Sequence, residues 1–268
     1  MPSFRCPSCG EPLGEVGTGV RCLNGHSFDR AREGYVNLLP AGRVKGRPSG
    51  DDETMVRARR RVFDAGLYDP VINGVADAVA SAMADIPAAA VLDIGCGEGS
   101  YGHAIAARSD AQVWGIDISK PAVKLAASRA DELRYAVASA YMLPFADGAF
   151  AAVLNVFSPR DFTEMNRMLS PGGAALVVTP GPMHLTEIKQ LLYDDPRQHS
   201  DEAVDVQPAE RESAISFEVG LTDEAMRVNV LHMTPYGWAA TAARRHAIAT
   251  RLRTVTVDMR LRLHRRPA

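Results

Sequence analysis

The segment VLDIGCGEG (91–99) joins an apolar run to a turn of three alternating glycines, Gly95, Gly97 and Gly99. Such a turn at the end of a buried strand lets a ligand approach backbone that a side chain would shield. In a dinucleotide site the same turn receives a pyrophosphate at a helix N-terminus. Here Asp93 and Glu98 bring two carboxylates to the turn, which repel a pyrophosphate and suit a cation. The amino-acid portion and sulfonium of S-adenosylmethionine meet that requirement. Asp117 closes the next strand-like run, QVWGID, where a carboxylate can accept hydrogen bonds from both ribose hydroxyls. Ile116 and Ile118 flank it and are expected against the adenine, with Ser139, after the third run, at the adenine edge. Cys96 is expected to fill a small slot in the loop. Asn155, near the end of a fourth run, has two readings: a group of the reaction site, or a cap for the loop that Pro159 enforces.

A second constellation lies near the N-terminus. Cys6, Cys9, Cys22 and His26 follow the spacing C-x2-C-x12-C-x3-H. Each pair makes a tight knuckle, and the intervening loop lets the two knuckles close around one tetrahedral zinc ion. Pro7, Gly10, Asn24 and Gly25 supply the turn conformations. Four protein ligands leave no position for water, so the expected metal is structural. A module of about 40 residues has too little core to fold without such a staple.

The elements that must hold these residues alternate between strand-like and helical patterns, the order of βαβ units around a parallel sheet. Strands are expected over 89–94, 112–117, 133–138, 151–157, 174–179, 214–219 and 254–263, the last two as a hairpin pair. Helices are expected from Asp51 or Asp52 to Gly66, over 70–84 and 98–107, from Pro121, over 161–169, from about 183, and over 222–231. The fold class is therefore α/β, a Rossmann-like sheet of seven mostly parallel strands carrying a small zinc module. Residues 1–40 form that module, 41–66 a linker (AGRVKGRPSG) and connecting helix, and 67–268 the catalytic domain. Residues 1–61 hold 11 Lys and Arg against 7 Asp and Glu, a net of +4, while the rest hold 19 against 25, a net of −6. A positive end on an acidic body suits a polyanion gripped at one end. No apolar run approaches the roughly 18–20 residues of a membrane helix. MPSFRCPSCG has neither the basic nor the apolar region of a secretory signal, so the expected compartment is the cytoplasm, where thiols stay reduced.

Taken together, CPSCGEPL (6–13), C-x3-HSFDRAREGYVNLL (22–39), MVRARRRVFDAGLYDP (55–70), VLDIGCGEG, LPFADGAF (143–150), NVFSP (155–159) and PGG…VVTPGPMHL (171–185) resemble the bacterial large-subunit rRNA guanine-N1 methyltransferases. The resemblance spans nearly the whole chain and fades over 194–212 and toward the C-terminus. It implies methyl transfer from S-adenosylmethionine to a hairpin loop of 23S rRNA. It also implies that Tyr68 and His184 contact the cofactor beside Gly97 and Glu98. One branch of that family is tied to macrolide-type resistance. NVFSPR looks like the resistance branch, whereas the glycine loop and TPGPMHL look like the other.

Read without the family, Tyr68 is a helix-end aromatic and His184 a polar group at a helix start. Arg57, Arg60 and Arg61 share a helix face from which Arg59 turns aside, either solvated or gripping phosphates with the linker arginines. Tyr35 and Phe28 either stack on RNA bases or pack beneath the knuckles. A guanine N1 is hidden while the base is paired, so the target must be splayed out. No residue stands out as a general base. A homodimer would suit a large RNA, but nothing in the sequence requires one. Two competing readings are a small-molecule methyltransferase, which would have no use for a basic zinc knuckle, and a non-catalytic RNA-binding protein. Intact Asp93, Gly95, Gly97 and Asp117 oppose the latter.

Overall fold

In a computed structural model of the chain, residues 2–40, 50–84, 86, 89–129, 132–199 and 208–267 are described. The linker 41–49 and residues 200–207 of the acidic stretch lie outside them. The N-terminal residues form a three-stranded antiparallel sheet, β1 (Gly14–Val16), β2 (Gly19–Arg21) and β3 (Ser27–Asp29), and then a two-residue strand, β4 (Val36–Asn37). The helix α1 (Glu53–Asp64) begins where the Asp52 side chain accepts the Met55 N–H, and the chain reverses at Gly66 with φ 77°. Next come α2 (Asp69–Ala82), β5 (Ala90–Ile94), α3 (Ser100–Ala106), β6 (Gln112–Asp117), α4 (Lys120–Ala127), β7 (Arg134–Val137), β8 (Phe150–Val156), α5 (Phe162–Met168) and β9 (Leu169–Pro180). The chain closes with α6 (Thr186–Leu192), β10 (Arg211–Gly220), α7 (Glu224–His232), α8 (Pro235–Ala239), α9 (Ala242–Arg251) and β11 (Thr254–Arg265).

The large sheet has the order β10-β11-β9-β8-β5-β6-β7-β4. Pairings from β9 through β4 are parallel, and β11 joins β9 and β10 antiparallel. Every residue of β5 and β8 is buried, as expected of central parallel strands covered on both faces. The strand order reverses between β5 and β6 on one side and β8 on the other, so the carboxyl ends of these three strands frame the switch-point crevice where α/β sheets bind ligands.

Eight strands replace the expected seven. The extra strand is β4, which comes from the N-terminal module and pairs with β7 through Val36 and Asn37. Two residues carry no alternation, so the sequence holds no signal for it. The boundary expected at residue 40 therefore falls after a strand of the large sheet. The helices α8 and α9 were not expected, because Pro235–Arg251 is rich in Ala and Arg and holds few large apolar residues to mark a buried face. Among the described residues no helix is long and apolar enough to cross a membrane.

The module is docked through its own core residues. Phe4 is 7% exposed, with its ring 4.9 Å from Trp114 edge-on and 5.2 Å from Phe145. The Arg5 N–H donates to Pro144 O (2.7 Å) and the Leu38 N–H to Val137 O (2.9 Å). Tyr35 is buried with Cys96, Val123, Tyr135 and Val137 on the large domain, not beneath the knuckles and not free to stack. Phe28 is half-buried against the cluster that includes Phe4, Cys6 and Cys22. Phe4→Ala removes the ring that joins the two parts, and should cost about 3–5 kcal/mol in urea denaturation. A cost near zero would mean that the parts do not stabilise one another.

Candidate cofactor and metal sites

The four expected ligands converge as the spacing requires: one donor atom from each of Cys6, Cys9, Cys22 and His26 lies within 4.8 Å of all the others. Cys9 Sγ is 3.7 Å from Cys22 Sγ, and Cys22 Sγ is 3.4 Å from His26 Nδ1. A zinc tetrahedron with bonds of roughly 2.3 Å to sulfur and 2.0–2.1 Å to nitrogen has edges of about 3.8 and 3.5 Å, so the donor set fits that ion. Gly10 and Gly25 sit at φ 76° and 84°, and the knuckles close through Gly10 N–H to Cys6 O (2.8 Å) and Gly25 N–H to Cys22 O (3.0 Å). Backbone donation from Glu11, then the Asn24 side chain, draws the Cys9 thiol down to about 6. Burial pushes Cys6 the other way. A divalent cation overrides that opposition, since a coordinated thiol loses its proton.

At the glycine turn, Gly95, Gly97 and Gly99 all have positive φ (75°, 56° and 93°). Only Gly97 faces open space, its nearest neighbour to an added Cβ being Arg59 Nη1 at 3.6 Å. Gly95 makes room for the Ser158 side chain, and Gly99 for Ala126 and Tyr135. Two of the three glycines thus serve packing, and Gly97 is the one that leaves backbone open to a ligand. The turn hangs on β6: the Gly95 and Cys96 N–H groups donate to Ile116 O, and the Gly97 N–H donates to Asp117 Oδ2 (3.0 Å). Asp117 Oδ1 accepts the Ser119 N–H (2.7 Å). Cys96 is buried, as expected of a slot filler.

Glu98 departs from its expected role. Its carboxylate is buried and accepts from Arg60 Nε (2.6 Å) and Arg129 Nη2 (2.9 Å), with the Ser100 N–H on the other oxygen (3.2 Å). Two guanidiniums already satisfy that charge, so it is not the one left for a cation. Asp93 is. It is 1% exposed, and its Oδ2 has no hydrogen-bond partner among the described residues. Burial, with Asp117 and Glu98 nearby, pushes it up to about 8. Asn155, directly beside Ile94 in the sheet, donates to Ile94 O (3.3 Å) and Pro159 O (3.4 Å) while its Oδ1 is buried without a partner among the described residues. It therefore ties the loop and also keeps an acceptor free. Two orphaned acceptors beside an open glycine suit a cationic, hydrogen-bond-donating ligand. The amino-acid end of S-adenosylmethionine is such a ligand.

The remaining predicted residues surround this turn. Tyr68 is buried, 5.0 Å from Phe63, and Arg59 is close enough to influence its phenol. Ser139, half-buried, follows β7 and accepts the Tyr141 N–H (3.2 Å). His184 is buried, and its Nδ1 accepts the Asp258 N–H (3.3 Å). Ile116 is fully buried in the core and cannot meet an adenine; Ile118, partly exposed, lies against Gly50. The arginines of α1 do not form one solvated face. Arg59 reaches Asp51 (2.5 Å) over the open glycine and Arg60 reaches Glu98, whereas Arg57, paired with Glu53, and Arg61, which reaches Asn229 (3.4 Å), stay exposed. Long side chains here override the helical wheel. The linker's Arg43 and Arg47 lie outside the described residues.

Comparison with known proteins matches residues 4–47 to the family model described as RlmA, N-terminal, and residues 91–173 to a methyltransferase domain. The chain is 36% identical over 291 aligned residues to a putative 23S rRNA (guanine-N(1)-)-methyltransferase of Micromonospora griseorubida, covering 99% of this chain and 97% of that one. It is 33% identical to a protein of the same description, YxjB, from Bacillus subtilis (88% and 87% covered). It is 40% identical to the 23S rRNA (guanine(748)-N(1))-methyltransferase of Streptomyces fradiae over 70% of this chain and 67% of that one. Among solved structures, the YcgJ protein from Bacillus subtilis superposes with a TM-score of 0.50 at 17% identity, covering 72% of this chain and 98% of that one, which supports the fold alone.

If Glu98 is structural, Glu98→Gln takes the buried carboxylate from two half-buried guanidiniums and should destabilise the protein by about 1.5–3 kcal/mol in chemical denaturation. Unchanged stability with lost cofactor affinity would return Glu98 to the ligand site.

Proposed function

The chain belongs to the bacterial 23S rRNA (guanine-N1)-methyltransferase family, and we propose that it methylates N1 of an unpaired guanine in a hairpin loop of 23S rRNA. S-adenosylmethionine is the methyl donor. The observation that carries this reading is the continuity of the likeness: it runs through the zinc module and the catalytic domain in one alignment covering 99% of the chain. The docked module supports it, because a small acceptor has no use for a zinc knuckle set against the catalytic sheet. The sulfonium is itself a reactive methyl donor, so the protein's main task is to align N1, the methyl carbon and sulfur. Gly97 and Asp93 would hold the amino-acid end, and Asp117 the ribose. Tyr68, Ser139, Asn155 and His184 would complete the walls, with Glu98 fixing the turn from behind. The module and the linker arginines would grip phosphates and orient the hairpin.

An assay with tritiated S-adenosylmethionine, offered a 23S rRNA transcript and a panel of small metabolites, tests the reading directly. Label is expected in 1-methylguanosine, resolved by mass spectrometry of the digested RNA. Label in a metabolite instead would leave the fold and cofactor standing and remove the RNA.

Asp93 gives a second outcome. With its carboxyl pushed up to about 8, it is mostly protonated at pH 7, and a cation bound beside it must lower that value and expel the proton. Affinity for S-adenosylmethionine should then rise from pH 6 toward about 8 and level off above it. Calorimetry at pH 7 in buffers of different ionisation enthalpy should register proton release; identical heats would rule Asp93 out as the group beside the cation.

A further inference from the structure

Beyond the carboxyl ends of β8 and β9, four rings stand in a row that starts beside the glycine turn. Phe157 is first. It leaves β8 at φ 51°, in the left-handed region, and is 46% exposed. The next residue, Ser158, fills the space beside Gly95. His184 follows, its ring 5.4 Å from Phe157; then His199, 6.2 Å from His184; then Tyr236, 6.3 Å from His199. Tyr236 Oη lies 2.9 Å from His199 Nε2. Lys189 of α6 is 4% exposed, 5.8 Å above the Tyr236 ring, and its ammonium has no hydrogen-bond partner among the described residues.

Each feature costs something that the fold alone does not require. A non-glycine residue at positive φ is strained, and here it leaves a phenylalanine nearly half exposed to solvent. An unpaired buried ammonium is costlier still. The row also discriminates between its two histidines. His184 Nδ1 accepts a backbone N–H, so in the neutral ring the proton sits on Nε2, which can only donate. His199 has no such constraint: with Nε2–H donating to Tyr236 Oη, its Nδ1 lone pair is free to accept.

Resting on the N1 transfer proposed above, we propose that this row is the acceptor pocket: the unpaired guanine stacks on Phe157, and His199, oriented by Tyr236, takes the N1 proton. The N1–H bond breaks toward His199 Nδ1, and its electron pair forms the bond from N1 to the methyl carbon. The pair of the broken carbon–sulfur bond stays on sulfur. The positive charge thus passes from sulfonium to imidazolium, and the imidazolium returns its proton to water. Tyr236 and Lys189 are positioning residues.

The groups facing His199 are His184 from the loop after β9, Lys189 from α6 and Tyr236 from α8, with Tyr193 near Tyr236 and Asp258 near His184. Burial, then the Lys189 charge, holds the His199 imidazole below its ordinary value, so it is neutral and ready to accept at pH 7. Removing that neighbouring cation must raise it.

The test is single-turnover methylation of a 23S rRNA transcript across pH by the full chain and by Phe157→Ala, His199→Ala, Tyr236→Phe and Lys189→Met, with S-adenosylmethionine affinity measured alongside. Wild-type protein should yield 1-methylguanosine; its failure to do so would overturn the underlying reading, separately from the assignment of residues. His199→Ala should lose about 10²–10⁴ in rate while binding the cofactor normally. Phe157→Ala should raise the RNA concentration for half-maximal rate. Lys189→Met should move the acid limb of the rate profile to higher pH, and Tyr236→Phe should lower the plateau. Wild-type rates in His199→Ala, cofactor binding lost together with rate in that variant, or an acid limb unmoved in Lys189→Met would each overturn the proposal.

Discussion

Negative charge packed around one turn is the constraint that organises this molecule. Asp93, Glu98, Asp117 and Asp51 meet where β5 and β6 end, most of them shielded from water. Moving one carboxyl from its ordinary value to about 8 corresponds to a penalty on its charged form on the order of 6 kcal/mol. Several such groups cannot stay ionised together without partners. Arg59 and Arg60 of α1, with Arg129 after α4, take Asp51 and Glu98, and backbone N–H groups take Asp117. Asp93 alone is left to protonation or to a bound cation. The helix that connects the two parts of the chain is therefore also the clamp that keeps the cofactor turn in shape.

The zinc module joins the same arrangement from the other side. Its Phe4 packs on Trp114 of β6, and β4 extends the sheet beyond β7, so the module grows out of the strands that carry Asp117 and Ser139. Between them runs a cleft of about 280 Å³, walled by the first knuckle, by Leu38 and Leu39, and by Ser139 and Met142. A metal that folds the knuckles thereby also shapes the rim of the cofactor site. Structural zinc and methyl-transfer chemistry are coupled by packing, without the ion touching a reacting atom.

Local, periodic and short-spaced features were legible in the sequence. All seven expected strands are present within a few residues of their predicted ends, and the four metal ligands meet as their spacing demands. The glycine turn and Asp117 also stand where the strand order puts them. What was hidden depends on contacts across the chain. Glu98 read as a ligand group because its partners lie 38 positions before it and 31 after. Gly95 read as a ligand-facing glycine because Ser158, which needs its space, sits on another strand's loop. Arg59 seemed to turn aside because a helical wheel ignores the reach of an arginine side chain. The row from Phe157 to Tyr236 joins residues spread over 80 positions, none in a motif with its neighbours, so no general base emerged until the fold brought His199 to Tyr236.

The site thus divides into a charged half on β5 and β6 and an aromatic half beyond β8 and β9, and the chemistry explains why they differ. The cofactor's ammonium arrives beside Asp93 and leaves with the product, so the charge at the turn changes by one unit in each cycle. Glu98, held by two guanidiniums, and Asp117, held by two amides, cannot follow that change without breaking contacts. A lone carboxyl at about 8 can, by exchanging one proton with water. On the acceptor side the carboxylate near the row of rings, Asp258 beside His184, is held by Arg260 (2.7 Å), so a planar base meets an environment where stacking dominates and an imidazole stays neutral. Separating the two halves lets the turn hold a cation without acidifying the pocket in which a proton must be removed.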